Sequence, residues 1–309
     1  MTAFRTELLV LHAGALGDCI LSLHVVAALR RMWAGPRVTV AARSSIVRWA
    51  QRHGLIDEAR SIEEIGMHCL YHPVGDLPEQ TAQFLRGFDR VVSFLGHRTE
   101  IVSQRLAQVL GGRVFAVDPR PIPGRTLHIV GQCVDQLRGY GLAVDVDAAL
   151  VMETPDREPF RARLRSRIGV VNGRVALCHP GSGGLAKCCP LEALQGLVGR
   201  MGTHGRSIAW MIGPDEIERF GPGYARRLEV TAPVLYEESV ESAADLVCGA
   251  DAFIGNDAGM THVAALCGVK TIALFGPTDP RVWSPLGPQC RAVAFSDAAS
   301  IMDEWPVPF

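Results

Sequence analysis

Four short segments hold residues whose types and spacing could do chemistry. Gly14-Ala-Leu-Gly-Asp18 sets two glycines, Gly14 and Gly17, ahead of a carboxylate. Glycines let backbone amides approach a ligand, and a helix start behind them favours negative charge. The order is not G-x-G-x-x-G, and an aspartate at a pyrophosphate seat would repel the phosphates. Asp18 therefore reads as a helix N-cap, or as a carboxylate poised to take a proton from a hydroxyl; the two roles are compatible. His179-Pro-Gly-Ser-Gly-Gly184, followed by Lys187, offers main-chain amides and one cation, which is what a phosphate needs. The plain alternative there is a βα turn beside a solvated lysine. It is not a Walker A loop.

Gly255-Asn-Asp-Ala-Gly-Met-Thr-His262 is the strongest constellation. Free amides near Ala258, Gly259 and Met260 would face an anion at a helix start. Asp257 could cap that helix or hold a sugar hydroxyl, and His262 is as well explained by packing in the core. Phe275-Gly-Pro-Thr-Asp-Pro280 ends a neighbouring strand at the same sheet edge. Two such loops side by side suit a nucleotide diphosphate.

These segments need strands and helices to place them. Glu7–His12, 38–42, 90–95 and 114–117 read as buried strands. After the turn Ala13–Asp18, Ile20 to Leu29 form a helical apolar face ending in Arg30-Arg31, and further helices run over 44–53, to about Leu110 and over 126–141. Pro119-Arg-Pro-Ile-Pro-Gly124 is a rigid loop. Residues 142–173 read as a linker carrying a charged helix near 159–167. The pattern then restarts with strands over 174–178, 207–212, 252–254 and 271–275, and helices after 190, after Pro214, over 239–249 and over 258–267. The last twenty or so residues show no clear element. Alternating strands and helices predict an α/β fold of two doubly wound domains, 1–155 and 156–309, with the cleft between the carboxyl ends of their sheets.

Composition agrees with two folded domains in 309 residues: 48% are hydrophobic and 20% charged. Thirty-one Lys+Arg against 32 Asp+Glu leave a net charge of −1, so nucleic acid is not an expected partner. Nine scattered cysteines with no C-x-x-C pair argue against zinc and for a reducing cytoplasm. Neither a signal-peptide h-region nor a transmembrane stretch is expected, which leaves room for peripheral work on a lipid-linked substrate at the inner face of the cytoplasmic membrane.

Taken in order along the chain, the Gly14–Asp18, His179–Lys187, Gly255–His262 and Leu274–Pro280 motifs resemble glycosyltransferase family 9, the ADP-heptose:lipopolysaccharide heptosyltransferase family. The resemblance runs over roughly residues 7–287. It implies a GT-B fold of two facing Rossmann-like domains with an interdomain cleft. It also implies an inverting, metal-independent transfer from an ADP-sugar, ADP-heptose by the family's pattern, to a saccharide hydroxyl of the lipopolysaccharide core. The N-terminal domain would take the acceptor and the C-terminal domain the nucleotide-sugar donor. Asp18 matches the catalytic base, over the glycine loop Gly14 and Gly17. Ser182, Lys187, Glu216, Asp257, Ala258, Gly259, Met260 and His262 form the expected donor-binding set. Within it Lys187 matches the donor-phosphate lysine and Glu216 the ribose contact, with Glu218 as competitor. No metal ligand and no cofactor besides the donor is expected.

The chain departs from the family at His24, where members often carry proline, and at Cys188-Cys189, near which they carry tryptophan. Arg98, Arg105, Arg120 and Arg125 would be available to an acidic acceptor, or are surface arginines. Two other functions fit parts of the pattern. One is a nucleotide-sugar-binding protein without turnover. The other is an NAD-dependent oxidoreductase, against which stand the incomplete glycine motif and Arg43 where an acidic residue would close the second strand.

Overall fold

The computed structural model describes residues 5–72, 75–146, 150–152, 156–203 and 207–300. Its first strand shows why the sequence folds as it does. Leu8, Leu9, Val10 and Leu11 of β1 (Glu7–His12) are all completely buried. A strand buried on both faces has no use for polar alternation, and each such side chain contributes about 1.5–3 kcal/mol of burial. The chain divides into two units, Met1–Leu150 and Val151–Phe309.

In the first unit β1 is followed by α1 (Leu16–Met32), β2 (Arg37–Ala42), α2 (Ile46–Arg52), β3 (Glu58–Ser61) and α3 (Glu79–Arg86). Then come β4 (Arg90–Phe94), α4 (Ile101–Leu110), β5 (Val114–Ala116) and α5 (Ile129–Arg138). The strands lie in the order β3-β2-β1-β4-β5, and every pairing is parallel. Helix α1 starts at Leu16 with Ala15 as its N-cap, so Asp18 is its third residue. The N-cap reading of Asp18 is thereby corrected: the carboxylate lies in the first turn, where the helix dipole favours it. His24, buried in α1, accepts the Leu150 amide at Nδ1 (2.9 Å), a bond that proline could not make.

The second unit runs through α6 (Glu158–Ile168), β6 (Val175–His179), α7 (Leu191–Thr203), β7 (Ser207–Ile212), α8 (Pro214–Phe220), α9 (Tyr224–Glu229) and β8 (Val234–Tyr236). It continues with α10 (Val240–Gly249), β9 (Ala252–Asn256), α11 (Gly259–Leu266), β10 (Lys270–Phe275), α12 (Pro280–Trp283) and β11 (Cys290–Ala294). Here the order is β11-β10-β9-β6-β7-β8, again all parallel. Counted from β6 this is 6-5-4-1-2-3, the doubly wound order read from the other edge.

Two expectations change. The charged helix inside the expected linker is α6, and it belongs to the second unit. It packs against α10 so closely that a Cβ on Gly249 would lie 2.4 Å from the Phe160 carbonyl oxygen, and Arg157 donates to the Cys248 and Ala250 carbonyls at 2.8 Å each. Thr154-Pro155, at the expected domain boundary, lies outside the described residues. The segment after residue 289, expected to lack structure, supplies the edge strand β11 and a 3₁₀ turn over Phe295–Ser300.

Candidate active site

In each sheet the chain reverses its winding direction between two neighbouring strands, β1 and β4 in one and β6 and β9 in the other. Loops leaving the carboxyl ends of such strands splay apart and make the crevice where doubly wound sheets bind ligands. Asp18 follows β1, Ser182 and Lys187 follow β6, and Asp257 to His262 follow β9, whereas Glu216 follows β7.

At the end of β9, Asn256 and the following Asp257 are held from three directions. Lys187, at the end of a short 3₁₀ turn (Leu185–Lys187), donates its Nζ to Asp257 Oδ2 at 2.8 Å. Thr278, from the loop after β10, donates to the same oxygen at 2.8 Å. Ser182 donates to the main-chain carbonyl of Asp257 at 2.6 Å. Asn256 reaches back to the Pro180 carbonyl (2.8 Å) and accepts the Cys189 amide (2.9 Å). The turn after β6 and the loop after β9 are therefore locked together by side chains 67 to 76 residues apart in sequence.

Asp257 is 6% exposed and the Lys187 side chain 37% exposed, so the ion pair has a dry end and a wet end. The wet end is a cation that can meet a ligand. Helix α11 opens just behind: its N-cap is Ala258, and Thr261 and His262 donate to the Ala258 carbonyl. The amides of Gly259 and Met260 precede the first intrahelical bonds, as helix starts require. Asp257 is thus not the cap. His262 is buried, with Nε2 4.0 Å from Asp257 Oδ1, too far for a hydrogen bond.

Glu216 is buried at the start of α8, where its Oε2 accepts the Gly213 amide at 2.7 Å. Its Oε1 lies 3.7 Å from His179 Nε2. A Cβ at position 181 would fall 1.8 Å from Oε1, so only glycine leaves this carboxylate its place beside the turn. Glu218, the competitor, is exposed.

Two residues of this site were not legible beforehand. Thr278 stands in a quoted motif, but its bond to Asp257 depends on the β9–β10 pairing. Arg219 donates to the Ser182 and Gly183 carbonyls, fastening the turn from outside; its one available signal was its place three residues after Glu216 on the same helix. Cys188 and Cys189 are thiols, not thiolates. Burial raises Cys188 and pushes Cys189 up to about 11.

In the first unit Asp18 lines a small cavity with His12, Leu21, Ser22, Val25, Phe94, Pro119, Ile129, Val130 and Cys133. His12 accepts the Gly14 amide at Nδ1, at 3.2 Å. Burial pushes its pKa down to about 4, so the ring is neutral at pH 7. Cys133 is pushed up to about 12, by burial first and then by the charges of Asp118 and Asp18. Gly17, the second residue of α1, needs no special backbone there.

The arginines expected to be available to an acidic acceptor are mostly engaged inside the unit. Arg120 pairs with Asp118 and Glu100, Arg125 with Asp135, and the buried Arg105 donates to the Gly75 carbonyl at 2.8 Å. Among the described residues no cluster of three or more His, Cys, Asp or Glu side chains is arranged to hold a metal ion.

Comparison with known proteins adds one decisive finding. The family described as glycosyltransferase family 9 (heptosyltransferase) matches residues 114–302, more than half of the chain. The chain belongs to glycosyltransferase family 9. No curated protein matches its sequence. Among solved structures, a family 9 glycosyl transferase from Veillonella parvula is 18% identical with a TM-score of 0.72, over 98% of this chain and 92% of that one. The E. coli ADP-heptose lipopolysaccharide heptosyltransferase II is also 18% identical, with a TM-score of 0.67 over 93% and 90%. E. coli heptosyltransferase WaaC, solved with ADP, is 17% identical with a TM-score of 0.68 over 97% and 99%. At such identities the likeness is one of fold, that of the GT-B glycosyltransferases with two Rossmann-like halves. The family match takes in the whole Lys187–Asp257–Thr278 network and begins after Asp18, so the family assignment of this chain and the role of Asp18 stand on separate ground.

Proposed function

We propose that this family 9 glycosyltransferase moves a heptosyl group from ADP-heptose to a saccharide hydroxyl, on the lipopolysaccharide core, with inversion and without a metal. The observation that carries the reading is the interlock of Lys187, Thr278 and Ser182 on Asp257 at the start of α11. Two βα loops held this firmly present a cation and helix-start amides that need no rearrangement when charge develops on a leaving diphosphate. Asp257 is itself anionic, so its fit is to the hydroxyls of the donor sugar, while Lys187 and the amides at Ala258, Gly259 and Met260 face the phosphates. Glu216 is assigned the ribose and His262 the wall beside Asp257. Asp18, on the first unit, is the base that takes the proton from the attacking hydroxyl while the sugar carbon becomes oxocarbenium-like.

A lipid-linked acceptor places the work in the cytoplasm at the inner face of the membrane. Among the described residues no helix is long and apolar enough to cross a membrane. The test is a calorimetric titration of the protein in EDTA with ADP-heptose, ADP, UDP-sugars and NAD. Selective binding of ADP-heptose supports the donor. Preference for a UDP-sugar overturns the heptosyl assignment, and binding of ADP-heptose only after a divalent cation is restored overturns metal independence.

A further inference from the structure

The cavity of the first unit holds a residue to which the proposed reaction has given no part. His12 closes β1 and is 1% exposed, yet it carries a ring nitrogen beside the loop that launches Asp18. Its Nδ1 accepts the Gly14 amide, which fixes the tautomer: in the neutral ring the proton sits on Nε2. Gly14 shows how ring and carboxylate are related. A Cβ built on it would lie 2.8 Å from His12 Cε1 and 3.1 Å from Asp18 Oδ2, so both groups close over the same face of one glycine. The ring is wedged from behind by Phe94, with centroids 5.7 Å apart.

We propose that His12 is a positioning residue for Asp18: its ring anchors the Ala13–Ala15 loop through Gly14 and walls the face on which the Asp18 carboxylate rests. The inference relies on the reading of Asp18 as base. The titratable groups at this cavity are His12 from β1, Asp18 from α1 and Cys133 from α5, with the buried Cys19 behind Asp18. The two thiols are pushed up to about 12 by burial and stay protonated. The ring is neutral throughout the range where the enzyme would work, so it does not compete with Asp18 for the proton. Of the lining groups this leaves the Asp18 carboxylate to act as base near pH 7, since Asp118, whose charge also reaches Cys133, is paired with Arg120.

The experiment follows ADP release from ADP-heptose, with inner-core saccharide or water as acceptor, for wild type, His12→Leu, His12→Asn and Gly14→Ala. His12→Leu loses the acceptor for the Gly14 amide; His12→Asn keeps one, in its side-chain carbonyl. The expected result is a kcat about 10- to 100-fold lower for His12→Leu and Gly14→Ala, with the KM for ADP-heptose unchanged. The acid limb of the kcat–pH profile should move upward in His12→Leu, because the carboxylate loses a polar neighbour, and His12→Asn should recover most of the rate. A folded His12→Leu protein with wild-type kcat and acid limb overturns the proposal. So does a loss that appears equally in donor KM, or a His12→Asn variant as poor as His12→Leu. Asp18→Asn, run alongside, separates the two failures: if it turns over normally the base assignment falls, whatever His12 does.

Discussion

The two switch points of this molecule occupy the same place in two sheets of the same winding, yet they are built in opposite ways. Beyond β6 and β9 the side chains bind one another: one carboxylate, Asp257, receives a lysine and a threonine, while its carbonyl receives a serine. Beyond β1 and β4 the carboxylate of Asp18 sits in a mainly apolar cavity beside a neutral imidazole. A group that must hold a doubly charged leaving diphosphate gains from fixed, charged partners. A group that must exchange a proton gains from neighbours, such as a neutral imidazole and protonated thiols, that do not compete with it for the proton. On the proposed function, the contrast is between holding charge and moving a proton.

The sharpest way to break the comparison is to remove the centre of the interlocked site. Asp257→Ala strips Lys187 and Thr278 of their shared anchor and should weaken ADP-heptose binding about 100-fold, close to 2.7 kcal/mol, by calorimetry. Tighter binding would mean that Asp257 only neutralises Lys187.

A comparable effect should come from pH at the other site. The folded pKa of His12 is lowered to about 4, below the unfolded value near 6.5. The unfolded chain therefore binds more protons in between, and this stabilisation is complete above pH 6.5 and is lost as pH falls toward 4. Wild type should lose on the order of 2 to 3 kcal/mol more stability than His12→Asn between pH 7 and pH 4.5, read from urea unfolding at each pH. Parallel curves would show that His12 is not buried as a neutral ring.

The smallest expected change concerns the wet end of the ion pair. With its side chain 37% exposed, Lys187 should add less than about 1 kcal/mol to stability. Lys187→Ala should therefore leave the urea midpoint nearly unchanged while raising the donor Kd about tenfold. A large stability loss with unaltered donor binding would make Lys187 a structural residue and dissolve the distinction between the two sites.

How much of this was legible beforehand follows the physics of each element. Strand β7 was read with its observed bounds, because five consecutive buried residues leave an unbroken apolar run. The edge strands β3 and β11 escaped: their burial patterns are mixed, since one side of an edge strand faces water. Asp18 was found by its glycines, but its place inside the first turn of α1, rather than at the cap, depends on where the helix begins. The motifs brought Lys187 and Asp257 into one candidate set, yet their contact, across 70 residues, exists only once β6 and β9 are neighbours. The arginines teach the reverse lesson. Arg120 and Arg125 looked available for an acceptor, and the carboxylates that occupy them, Asp118 and Asp135, carry no local signature of pairing.

The most direct test of the division between holding and proton transfer is Asp18→Asn, measured for donor binding and turnover on the same sample. The account predicts an ADP-heptose Kd within about twofold of wild type and a kcat lower by about 10²- to 10⁴-fold. Turnover that survives, or a donor affinity that falls along with it, would contradict the claim that Asp18 serves the proton and the second unit serves the donor.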